Sequence, residues 1–210
     1  EITQTVGSSI AVSGTSDFSA VGNDITLDET SNDFVGAVTA TGGSIKLTDA
    51  NNIELGSIDA ASLEVSAEGI GEITQTVGSS IAVSGTSDFS AVGNDITLDE
   101  TSNDFQGAVT ATGDVIKLTD ANNIELGSID AASLEVSAEG IGEITQTVGS
   151  SIAVSGTSDF SAVDNDITLD ETSNDFVGAV TATGDVIKLT DANNIELGSI
   201  DAASLEVSAE

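Results

Sequence analysis

A chain of 210 residues that sets 36 acidic side chains against three cations, for a formal net charge of −33, is not a nucleic-acid binder, because phosphate recognition needs clustered Lys and Arg. It has no Cys, which removes disulfides, thiolate nucleophiles and Cys-based metal sites. Its apolar residues, 39% of the total, fall in short runs far below the ~20 needed to span a bilayer, so no membrane insertion is expected.

At the N-terminus Glu1-Ile2-Thr3-Gln4 shows neither the charged nor the apolar region of an export signal, so an exported chain implies a longer precursor. The segment EITQTVGSSIAVSGTSDF begins at Glu1 and returns at Glu72 and Glu143, a period of 71 residues. The three copies (1–71, 72–142 and 143–210) differ at four aligned positions: Gly22/Gly93/Asp164, Val35/Gln106/Val177, Gly43/Asp114/Asp185 and Ser44/Val115/Val186. Within a unit an apolar-x-apolar triplet recurs as Ile25-Thr26-Leu27, Ile45-Lys46-Leu47, Leu63-Glu64-Val65 and Ile81-Ala82-Val83, and Ile96-Thr97-Leu98 restarts the series. The outer residues of each triplet point inward and the middle one outward, by the period of two in a strand.

Successive triplets lie 20, 18, 18 and 15 residues apart, a mean near 18 that suits one rung of a parallel β-helix. Between them, clusters such as Gly42-Gly43, Asn51-Asn52 and Gly78-Ser79-Ser80 mark turns, and no helical periodicity persists. The expected fold is therefore all-β: one continuous parallel β-solenoid over 1–210, with about 18 residues per rung, about 12 rungs and a length of ~57 Å. Its hand is right, by the crossover rule for parallel strands. The six Phe, two per unit at repeated positions, are core filler.

The phrases GNDITLDETSNDFVGAVTATG and SIKLTDANNIELGSIDAASLEVSAEG resemble the degenerate rungs of filamentous-haemagglutinin-like large exoproteins and giant bacterial adhesins. That resemblance covers the whole chain. It implies a right-handed β-helix exported to the bacterial cell surface and displayed as a shaft, and it carries no catalytic residues.

Several residues invite a role. Asn32 and Asn52 each sit seven residues after the start of a triplet, which would stack them at a turn as an amide ladder or as two independent turn residues. Lys46 falls between Thr26 and Glu64 on neighbouring rungs, so a Lys46–Glu64 pair is expected, repeated as Lys117–Glu135 and Lys188–Glu206. Asp28, Glu29, Asp33 and, in the last copy, Asp164 and Asp166 are oxygen donors of the kind calcium takes, although the EF-hand spacing is missing and a solvated acidic face is the alternative. No cofactor is required.

Near-identical copies cannot build one unique catalytic groove, so no enzyme activity is expected. Ice or carbohydrate binding is the weaker alternative, because Thr39-Ala40-Thr41 recurs too seldom for a flat array. The expected function is mechanical: a repeat shaft in an exported adhesin or extracellular filament. The rival is a self-assembling fibre or sheath subunit stabilised by divalent cations. Expected partners are neighbouring repeats of a longer chain and further copies, end to end or laterally.

Overall fold

The computed structural model describes residues 1–209, and over these the chain forms 27 short strands and no helix. Apolar residues alternate with polar ones along many strands, as in Ile45-Lys46-Leu47 and Leu63-Glu64-Val65, which favours extended backbone with one face inward. The strands fall into a 13-stranded and a 12-stranded sheet, with a two-stranded piece at Ala11–Val12 and Asp33–Phe34. Neighbouring strands pair in parallel throughout, as in Ile25↔Ile45 and Ile45↔Leu63. The chain passes from one sheet to the other and back in each turn, so the molecule is the expected parallel β-solenoid.

Its turns are longer and fewer than the triplets imply. Along one sheet the strands starting at Ile2, Ile25, Ser44, Ser62, Ser87, Val109, Ile124 and Ile144 pair in that order. Seven pairings thus span 142 residues, or two units, and each unit makes three and a half turns of about 20 residues. The chain has about ten turns rather than twelve, and ~48 Å is the corresponding length.

The half turn moves every element to the opposite sheet in the next unit. Ile2–Thr3 and Ile144–Gln146 lie in the 13-stranded sheet, whereas their counterpart Ile73–Gln75 lies in the other. The triplet at Ile81 that seemed to stack on Leu63 instead pairs with Ile58 on the far face. Leu63 is followed by Ser87.

One core runs the length of the rod, filled by residues such as Ile45, Leu47, Ile96 and Leu118. Edge-to-face aromatic pairs recur in each unit, with ring centroids of Phe89 and Phe105 6.0 Å apart and the Phe18–Phe34 and Phe160–Phe176 pairs at 5.9 and 6.0 Å. The Phe residues are core filler, as their repetition suggests.

Candidate functional site

The broad faces carry departures from regular pairing that involve buried polar groups. The long strand Ile53–Ala60 pairs first with Ile73–Gln75 and then with Ile81–Val83. Between these two the chain leaves the sheet over residues 76–80, and a second excursion over 99–103 lies against it. Such a bulge strips backbone groups of their ladder partners. Asn103, fully buried, replaces them. Its Oδ1 accepts from the Ile81 amide at 2.9 Å and from Gln75 Nε2 at 2.6 Å. Its Nδ2 donates to Gln75 Oε1 at 2.9 Å and to the Leu98 carbonyl at 3.3 Å. Asn32 with Gln4 and Asn174 with Gln146 repeat the arrangement.

Asn32 therefore does not stack on Asn52. Its carbonyl accepts from the Ala50 amide, whereas Asn52 lies exposed in the turn beyond and accepts from the Glu72 amide at 3.0 Å. Counting seven residues from each triplet fails here because the first stretch bulges and the second does not.

A second buried group comes from the Thr-Asp-Ala-Asn-Asn turns. Asp120 is wholly inaccessible. Its Oδ2 accepts from the Phe105 amide at 2.6 Å and its Oδ1 from the Asn122 amide at 2.7 Å. Burial pushes its pKa up to about 6, against the two amide hydrogen bonds that lower it. Asp49 makes the same contacts, with its pKa also raised by burial. The i to i+2 bond of an Asx turn is legible in the sequence. The burial is not.

On the outer face Lys46 stands between Thr26 and Glu64 as expected, with Nζ 2.8 Å from Glu64. Lys117 lies 2.9 Å from Glu135, and the same register sets Lys188 opposite Glu206. Hydrogen bonding to Glu64 raises the pKa of Lys46, with Asp28 and Asp88 adding to it. These half-exposed pairs contribute ~0.2–1 kcal/mol each and fix register. Lys46 and Lys117 both stand at the surface, with side chains 39% and 40% exposed.

The candidate calcium ligands do not converge: among the described residues no group of three or more acidic side chains is placed to hold one ion. Asp28 is exposed and Asp33 sits in a strand opposite Ala11. Asp164 occupies a left-handed turn position, φ 61°, that glycine fills in the other two units. Asp166 Oδ1 accepts from the Val186 amide at 3.1 Å, closing a turn onto the next rung. Thr41 lies between Ser19 and Asp59, so no threonine array forms there.

The depressions that do exist are open and lie along the narrow edges. One of about 400 Å³ is lined by Asp33, Val35, Asn51, Asn52 and Ile70. Another, of about 270 Å³, is lined by residues that include Asp114, Asp130 and Asp175. Neither encloses a reacting group.

A family model described as repeats of unknown function (DUF5649) matches residues 1–41, 42–112 and 112–183, most of the chain. No curated protein and no solved structure matches it.

Proposed function

The chain belongs to this repeat family, and we propose that it is a stiff, acidic shaft of an exported bacterial surface protein, holding other parts of that protein away from the cell. The observation that carries the reading is the seam between units. Ser62–Ala67 of one unit and Ser87–Ser90 of the next pair with the same parallel geometry as strands within a unit, so a unit can be added without a joint. Bending such a rod must stretch the main-chain ladder on its convex face.

The charge favours an exterior setting. Thirty-three net negative charges over ~48 Å approach one per ~1.5 Å, close to the linear density of duplex DNA. The resemblance of the GNDITLDETSNDF and SIKLTDANNIEL phrases to large exoproteins supports an adhesin or extracellular filament as the host.

An antibody raised against the 71-residue unit should decorate intact source cells in immunogold microscopy. Decoration that appears only after permeabilisation would sink the reading. A second reading, a fibre or sheath subunit bridged by divalent cations, rests on the same charge. It expects ordered bundles in the electron microscope with millimolar calcium, dissolving on chelation.

A further inference from the structure

The chain rounds the two narrow edges of the solenoid by connections of two kinds. On the edge where it passes from the 12-stranded to the 13-stranded sheet, four successive connections are short and built of small residues: Gly42-Gly43, Ala61, 84–86 and 106–108. A Cβ on Gly107 would stand 2.6 Å from the Gly85 carbonyl, so bare main chain floors this stretch. It forms an open notch of about 190 Å³. On the opposite edge the connections are longer, 50–52 and then five residues each at 68–72 and 91–95. Their tips, Ile70 and Val92, are 84% and 69% exposed and make an apolar ridge.

Ridge and notch stand at the same height. The strand Ser62–Ala67 starts just after Ala61 and runs into the 68–72 loop, and Ser87–Ser90 joins 84–86 to 91–95 in the same way. The half turn per unit then exchanges the two edges. In the next 71 residues the notch, now 113–114, 132, 155–157 and 177–178 and about 270 Å³, lies on the edge that carried the ridge. Ile141 and Val163, 85% and 56% exposed, project from the other. Each edge therefore alternates ridge and notch, and wherever one edge projects the other recedes.

We propose that these edges interlock copies of the chain side by side, each ridge seated in the notch of a parallel neighbour at the same height. Ile70 then faces Ala61 of the next copy and Val92 faces its Gly85, while on the other edge Ile141 faces Ala132 and Val163 faces Gly156. The occupant is a second copy because the molecule carries both halves of the contact, matched in height and number, and one sideways shift engages them all. An edge ~15 Å wide across two sheets offers ~500 Å² per copy for every two units, so three units approach the ~800 Å² per partner of a stable interface.

The two halves lie on opposite edges, so the contact is heterologous and extends into an open raft one rod thick. Rods in it share one polarity and have no axial stagger. The contact also brings Glu68, Glu72 and Asp95 of the ridge loops towards Asp59, which lines the neighbour's notch, so association strengthens as salt screens these like charges.

This deepens the fibre or sheath reading and rests on it. Sedimentation velocity and negative-stain microscopy of the purified chain in ~1 M salt, where the screening length is ~3 Å, test it. The expected result is flat rafts whose ~34 Å axial repeat (two units) runs straight across all rods. Ile70→Asp combined with Ile141→Asp should weaken association at least tenfold. Val77→Asp with Val148→Asp, which add the same charge at tips 90% and 89% exposed on the broad faces, should leave it unchanged. Ala61→Leu with Ala132→Leu, which fill the notches with apolar side chains, should also weaken it, whereas general stickiness of apolar surface would strengthen it. Thermal melting checks that the three double variants stay folded. Bundles packed through the broad faces, staggered rafts, or stronger association on filling the notches would overturn the interlock while leaving the fibre reading standing. Single rods in high salt and in millimolar calcium alike would remove both.

Discussion

Asn103 shows how a single amide lets a broad sheet face carry a loop. Four hydrogen bonds converge on it in a place with no water access, so Asn103→Ala leaves the Ile81 amide and Gln75 unpaired. A loss of ~2–3 kcal/mol is expected from the denaturant midpoint. The Ser87 hydroxyl is the opposite case. It is buried without a partner in a column between Leu63 and Val109, and Ser87→Ala should leave stability unchanged or raise it by ~1 kcal/mol. Asp120 sets a pH dependence. Its folded pKa of about 6 lies above that of an unfolded aspartate, so the folded state binds more protons between the two values and loses stability as pH rises through about 6. Asp49, Asp88 and Asp159 are shifted in the same direction, chiefly by burial. Melting temperature should thus climb as pH falls from 7 towards 4, and a steady decline over that range would contradict the account. At this scale the sequence shows which residues favour turns. It does not show that Asn32 pairs with Gln4, because that contact spans 28 residues and depends on where the chain bulges.

Strands and turns are more legible than single partners. The stack Ile25, Ile45, Leu63 and the ion pair Lys46–Glu64 follow from spacing alone, because each step is one turn without a bulge. The step to Ile81 misleads, since a bulge and a change of face both fall inside it. Turns constrain the sequence through close backbone approach. A Cβ on Gly142 would collide with the carbonyl of Asn122 on the rung before, and Gly71 meets Asn51 in the same way. Gly142→Ala should cost more than the ~1 kcal/mol of an ordinary glycine replacement. Gly78→Ala, at a left-handed turn with open space around it, should cost about that amount. Paired thermal melts of the two variants check the difference.

For the whole molecule, a unit of three and a half turns makes the two broad faces equivalent, each showing every feature once per 142 residues. The solenoid itself is evident from the repeat and the β-branched triplets. The half-integral turn count is not, because spacing alone does not tell a long rung from a short rung plus a switch of face. The same continuity spreads the net charge of −33 along one rod, so self-repulsion opposes folding at low ionic strength. Melting temperature should rise from low salt to seawater-like salt, and a flat response would contradict a fold limited by charge.

The half turn is open to a direct test, helped by the absence of native cysteine. Spin labels placed pairwise at the outward-facing Thr26, Thr97 and Thr168 report three distances by pulsed electron resonance. With three and a half turns per unit, Thr26 and Thr168 share one face ~34 Å apart. Thr97 lies on the other face, so its two distances are equal and each exceeds half of the Thr26–Thr168 distance. Three collinear labels, with Thr97 at the midpoint, would mean a whole number of turns per unit and would contradict the account.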